Sequence, residues 1–285
     1  MTTTFKPKQV IPIDAEVLKE FLGTATEEIA YDFLRPLVPF PAGAHIHDNG
    51  CGAGAVTEAI LTLHSAEAAS SLRISATDSN PGAIAGFRAQ AQSKGWPVVE
   101  TNQMDSRALS FPNDTFSHSF TSFVFLQVWK DDELCAREIY RTLKPGGIAL
   151  VTTWEDLATM AVFRQAYRRL HGEGRELPEM LQTNWYSGDH VRKAMLAAGF
   201  DESDMGVNSY STQVRIRDAK RWCEIGWSIC GVPKGGWTQE DEDDWEEAVR
   251  LALEALLSGP WYQRDEKDEN AGWLRVTASV IVGRK

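Results

Sequence analysis

The sequence predicts an α/β protein built on a doubly wound, mostly parallel sheet. Three observations carry that prediction. Short apolar runs alternate with helix-period segments along most of the 285 residues. Glycine, proline and Asn, Asp or Ser caps stand where one element should hand over to the next. Ala44–Asp48 also runs straight into Asn49-Gly50-Cys51-Gly52-Ala53-Gly54, a strand that ends in an acid and enters a tight glycine turn. A backbone without Cβ atoms lets a ligand approach closely. The helix expected from Ala55 offers unpaired N–H groups and a positive dipole end. That combination is a nucleotide-type cofactor site.

The elements follow in order. Asp14 caps a first helix with Val17, Leu18, Phe21 and Leu22 on one face, and a second helix runs from about Thr26 to Leu37. Strand one is Ala44–Asp48, and the helix behind the glycine loop reaches about Leu63. Strand two, Arg73–Asp78, is followed by Asn80-Pro81, a cap and a proline at the first helical position. That helix turns Ile84, Phe87 and Ala91 inward and stops at Gly95. Strand three is expected at about Pro97 to Thr101 and strand four at Ser117–Phe123. A helix over 131–142 precedes Leu143-Lys144-Pro145-Gly146-Gly147, a turn into strand five at Ile148–Thr153.

Beyond it, 156–171 reads as a helix burying Met160, Phe163 and Tyr167. Ser187 caps another that ends at Gly199. Strand six is about Val207 to Ile216, and the last strand is Trp273–Val282. Between them, 217–272 is an insertion. Thr238 and Asp241 make a capping box there, with Trp245, Val249, Ala252, Leu253 and Leu256 on a buried face. The acids of 240–247 read as a solvated helix face, with partner docking as the alternative.

Two cofactors compete for the glycine loop. Gly50, Gly52 and Ala55 satisfy a dinucleotide fingerprint formally, and Asp78 could hold a ribose. Three features point elsewhere. Asp48, directly before the loop, repels a pyrophosphate but suits a ligand carrying an ammonium and a sulfonium. Met104 and Asp105, with Ser106, follow strand three, where an acid can accept from an adenine amino group while methionine covers the ring. The Lys144–Gly147 turn is the third.

These motifs resemble class I S-adenosylmethionine-dependent methyltransferases. The match covers about 44–155, with Asp48–Gly54, Asp78, Asp105 and Lys144–Gly147 falling in order; Ser117 stands where the family usually has Asp. The Asp48-Asn49 pair, Phe123-x-Phe125 and Thr153-Trp154 look more narrowly like small fungal natural-product methyltransferases of the gliotoxin S-methyltransferase type. The resemblance implies a Rossmann-like, seven-stranded sheet with an antiparallel last strand. It implies S-adenosylmethionine as cofactor and S-adenosylhomocysteine as product. The expected cofactor residues are Asp48, Asn49, Gly50, Cys51, Gly52, Asp78, Ser79, Met104, Asp105, Ser106, Ser122 and Phe123. The expected organisation is one domain: an N-terminal helical lid over 1–43, a cofactor core over 44–155, helices flanking the acceptor over 156–206, a cap over 217–272 and the final strand over 273–285.

Composition narrows the substrate. With 29 basic and 40 acidic residues the formal net charge is −11, which disfavours nucleic acid and anionic membranes and favours a small-molecule acceptor. The four cysteines are too few and scattered for a disulfide framework, and no run has transmembrane length, so a cytoplasmic protein is expected. His45 and His47 share a strand face but do not complete a zinc shell, and no metal is expected.

Gln127 and Trp129 after strand four, and Trp185 with Tyr186, are the expected acceptor-lining residues. The expected reaction is in-line attack on the sulfonium methyl, at sulfur or nitrogen, with oxygen possible. No general base stands out among His64, His118, His171, His190, Tyr186 and Asp189. An NAD(P)-dependent oxidoreductase and a non-catalytic cofactor-binding protein are the competing readings. No motif assigns the acceptor's identity or an oligomeric state.

Overall fold

A computed structural model of the chain describes residues 5–125, 130–156, 158–182 and 187–285. The elements are α1 (Ala15–Leu22), α2 (Ala25–Leu34), β1 (His45–Asn49), α3 (Ala55–Leu63), α4 (Ala66–Ser70), β2 (Arg73–Asp78), α5 (Pro81–Ser93), β3 (Val99–Gln103), β4 (Phe116–Ser122), α6 (Asp132–Thr142) and β5 (Leu143–Asp156). They continue with α7 (Ala158–His171), α8 (Gly188–Ala198), β6 (Met205–Ile216), α9 (Ala219–Cys230), α10 (Gln239–Asp243), α11 (Trp245–Ser258), β7 (Tyr262–Arg264) and β8 (Gly272–Arg284).

The strands join in the order β3-β2-β1-β4-β5-β8-β6, with β7 paired to β8. The five strands from β3 to β5 make four parallel pairs, with Ile46 beside Ile74 and His118, and His118 beside Ile148. The last strand is antiparallel as expected: the Gly146 N–H donates to Lys285 O at 2.7 Å and the Lys285 N–H returns to Gly147 O at 3.0 Å. Among the described residues the sheet has eight strands because the expected insertion contributes β7, antiparallel to the start of β8.

The described chain divides into two compact units. One contains β1–β5, α3–α6, α8 and the C-terminal end of β8. Strands β1, β2, β4 and β5 are buried on both faces, as inner parallel strands covered by helices must be, while the edge strand β3 is not: Ile46, Ile74, Ala76, Phe116, Phe120, Ala149 and Val151 are all sealed from solvent. A second layer forms where α6 and α8 bury Cys135, Ile139, Val191 and Met195 with Phe125 and Phe200. The other unit contains α1, α7, α9, α10, α11 and β7. There Trp222 stacks on Phe21 and Phe163, and its indole N–H donates to Phe21 O at 3.1 Å.

Several boundaries differ from expectation. Helix α2 stops at Leu34, since Pro36 cannot donate and the chain closes with Leu37 N–H on Leu34 O. β3 starts at Val99 rather than Pro97, because 96–99 is a turn closed by Val99 N–H on Trp96 O. The Lys144–Gly147 turn does not precede β5 but bulges out of it. Phe116 pairs with Leu143 and His118 with Ile148, so four residues loop out opposite Ser117. The helix expected from Thr238 keeps its capping box but breaks at Asp244 into α10 and α11. Leu18 points to solvent, and Leu253 is only half-buried while Ala248 and Leu251 take the inner face.

Candidate functional site

The site forms at the C-terminal ends of β1, β2, β3 and β4, four neighbours in one sheet. The glycine loop holds three left-handed residues, Gly50 (φ 68°), Gly52 (φ 51°) and Gly54 (φ 86°). Two of them are required by close approach. A Cβ on Gly50 would lie 2.2 Å from Val124 Cγ2, and one on Gly54 would lie 2.1 Å from the Phe87 ring. A Cβ on Gly52 would meet nothing within 4 Å. Gly52 is therefore the point where the loop backbone faces open space.

Asp48 is buried beneath the loop. Its Oδ2 accepts the Thr57 hydroxyl at 2.6 Å and the Thr57 N–H at 3.1 Å, which satisfies one orphan donor of α3. Burial pushes its carboxyl up to about 6, against the opposing pull of those hydrogen bonds. Asn49 is also sealed from solvent. Its amide donates to Thr121 Oγ1 at 3.2 Å and faces Cys135 Sγ, while its Oδ1 lacks a donor among the described residues. A buried acceptor in that state suits a ligand bearing N–H or O–H groups.

Asp78 clasps the loop from β2. Its Oδ2 accepts the Gly52 N–H at 2.9 Å and its Oδ1 the Asn80 N–H at 2.8 Å. A carboxylate oxygen has further lone pairs, so both roles foreseen for it, ligand holder and turn cap, are compatible. Ser79 is exposed, and its carbonyl accepts from the Gln103 amide. Met104 is tied to the same strand end by its N–H on Asp78 O at 3.0 Å.

Asp105 is more committed than its sequence context shows. Arg107 grips both its oxygens, Nε to Oδ1 at 3.0 Å and Nη2 to Oδ2 at 2.7 Å, and reaches on to Asp131 Oδ2 at 2.7 Å. Those hydrogen bonds hold the Asp105 carboxyl below the usual carboxylate range. Sequence reasoning missed Arg107, although Asp-x-Arg is a turn spacing in which Asp105 Oδ1 also accepts the Arg107 N–H. Ser106 is buried behind this clasp. On β4, Ser122 Oγ shares a hydrogen bond with Thr152 Oγ1 at 3.0 Å, and Phe123 stacks on Trp154 with centroids 4.2 Å apart.

The structure thus brings together the twelve expected cofactor residues of β1–β4 in one unit. The four expected acceptor residues, Gln127, Trp129, Trp185 and Tyr186, all lie outside the described residues. Trp154, Trp222, Trp227 and Trp245 are buried packing residues. Burial raises the Cys51 thiol above its ordinary range and pushes Cys135 to about 12, so neither is a ready nucleophile.

Of the candidate bases, His64 is spent on Phe40 N–H and Ile60 O, and burial lowers His118 to about 4. His190, on the first turn of α8, is only part-buried and places Nε2 2.5 Å from Asp132 Oδ2 on α6. His45 and His47 bond to the Ser75 and Thr77 hydroxyls. Among the described residues no His, Cys, Asp or Glu cluster could hold a metal, and no helix is long and apolar enough to cross a membrane.

Sheet order and glycine loop define a Rossmann-like fold. Residues 46–147 match the family model described as a methyltransferase domain, and the chain resembles fungal natural-product methyltransferases. The chain is 24% identical to methyltransferase tpcH of Aspergillus fumigatus over 90% of its own length and 88% of that protein's. It is 23% identical to the acetylaranotin bis-thiomethyltransferase of Aspergillus terreus, covering 88% and 84%. Among solved structures, the YcgJ protein of Bacillus subtilis shares the fold with a TM-score of 0.57 and 16% identity, over 90% of this chain and 98% of that one.

Proposed function

We propose that this methyltransferase takes S-adenosylmethionine as its methyl donor and a small molecule of secondary metabolism as acceptor. The observation that carries the reading is the placement of Gly50–Gly52, Asp78, Met104-Asp105 and Ser122-Phe123 on four adjacent strand ends in one unit. A nucleoside with an amino-acid tail needs such a spread of contacts: backbone N–H groups for the tail, a carboxylate for the ribose, and an acid beside an apolar residue for the adenine.

When bound, the cofactor supplies a methyl group already activated on sulfur. The chain's own work is to hold the pair in line and keep water out. Gly52 offers its open backbone, Asp78 fixes the loop, Met104 covers and Asp105 accepts. Sulfur is the favoured acceptor atom, with nitrogen next and oxygen third. The thiomethyltransferase name of one relative supports sulfur, and a thiol ionises appreciably near neutral pH without strong base assistance. For an acceptor that keeps its proton, His190, whose Nε2 lies 2.5 Å from Asp132 Oδ2, is the candidate base. The four cysteines, buried and unpaired, support a reducing, cytoplasmic setting.

Calorimetric titration of S-adenosylhomocysteine, with NADH alongside, tests the reading. Micromolar affinity for the first, weakened in Asp78→Ala, is the expected result. Binding of NADH alone overturns it. Binding without turnover across thiol, amine and hydroxyl acceptors would favour the non-catalytic alternative.

A further inference from the structure

Phe123 is in the left-handed region, φ 57°, a conformation uncommon for any residue but glycine and its small polar substitutes. Such strain persists where the surroundings over-determine it, and it concentrates at functional sites. The surroundings here are specific. The Phe123 N–H donates to both Thr152 O and Thr152 Oγ1 at 3.1 Å, and its ring lies on the Trp154 indole at 27° between planes. The next residue, Val124, fills the place a Cβ on Gly50 would take. The strained turn therefore lays 123–124 against the glycine loop. Phe123 and Trp154 are 9% and 5% exposed, so little water competes for the ring.

We propose that the Phe123 ring, backed by Trp154, is the surface that recognises the cationic sulfonium, and that it sets the preference for the charged methyl donor over its neutral thioether product. An aliphatic side chain could fill the same volume. Only an aromatic face adds attraction for a cation, and that attraction grows when the pair is desolvated. A product that loses the charge loses the attraction, which favours its release. The inference rests on the cofactor reading above.

The test measures dissociation constants of S-adenosylmethionine and S-adenosylhomocysteine on the full chain, with no acceptor present. In Phe123→Leu the preference for the sulfonium relative to the wild type falls roughly tenfold, while the thioether's affinity changes little. Phe123→Tyr keeps the preference. Should Phe123→Leu fail to fold, singly to triply fluorinated phenylalanines at position 123 preserve shape and drain the ring's negative face. Sulfonium affinity then drops stepwise and thioether affinity stays level. An unchanged ratio in Phe123→Leu, or a flat fluorination series, overturns the proposal and leaves the cofactor reading intact. Wild type that binds neither compound overturns the cofactor reading itself.

Discussion

Asp78 Oδ2 accepts the Gly52 N–H at 2.9 Å across the gap between β2 and the glycine loop. The residue proposed to touch the cofactor thus also shapes the loop proposed to receive it. Replacing Asp78 with Ala removes a charged acceptor from two N–H groups, a loss of about 1.5–3 kcal/mol for such a bond. S-adenosylhomocysteine affinity should fall about 10- to 100-fold in Asp78→Ala by calorimetry. Asp78→Asn, which keeps one carbonyl oxygen, should recover part of it.

The three loop glycines should separate stability from binding. Gly54→Ala drives a Cβ to 2.1 Å from the Phe87 ring in a left-handed backbone, and should lower stability by about 2–4 kcal/mol, as overpacking and strain add. Gly52→Ala meets no atom, so its cost is the strain alone, about 1 kcal/mol. Its Cβ occupies the ligand's side, however, and should abolish S-adenosylhomocysteine binding. Chemical denaturation and calorimetry on the two variants check the contrast.

Asp48 makes stability pH-dependent with a definite sign. Its folded carboxyl titrates at about 6, above the ordinary 3.8, so between these values the native state holds a proton that the unfolded state has released. Stability from this group therefore falls as pH rises from about 4 to 6, by roughly 3 kcal/mol in all, and levels off above. Asp48→Asn should remove that fall. Burial gives His47 the opposite slope: it titrates at about 3 when folded, so stability is lost as pH drops below 6.5. His47→Gln should flatten the acid limb in urea titrations run across pH.

Arg107 is part-exposed, and an ion pair so placed contributes little to stability. Arg107→Met should leave the melting temperature within a few degrees of wild type. It should nevertheless reduce discrimination between S-adenosylhomocysteine and its inosine counterpart, because Asp105 loses the fork that aims it. Equal discrimination in variant and wild type would remove Asp105 from the adenine site.

His190→Gln should slow turnover of acceptors that are still protonated at the assay pH, by about 10²-fold or more as general-base catalysis predicts, and spare those already ionised. A pH–rate profile on one acceptor of each kind separates this from a purely structural role, which would slow both.

Local sequence determined what depends on neighbouring residues. Asp14, Asn80, Ser187 and Thr238 cap their helices as expected, because capping needs only a side-chain oxygen two or three residues from an orphan N–H. The glycine loop was legible because left-handed turns call for glycine, and the strand-end acids because each sits at a change of period. Tertiary structure decided what depends on partners distant in the chain. Val124 over Gly50, Asp48 on Thr57, Arg107 bridging Asp105 to Asp131, and His190 against Asp132 all join different elements. The bulge that keeps Lys144–Gly147 inside β5, and the β7 strand, likewise exist only because a neighbouring strand fixes their register. Spacing along a chain specifies periodicity and caps. It carries no information on which side chain closes over which, since that follows from packing many elements at once.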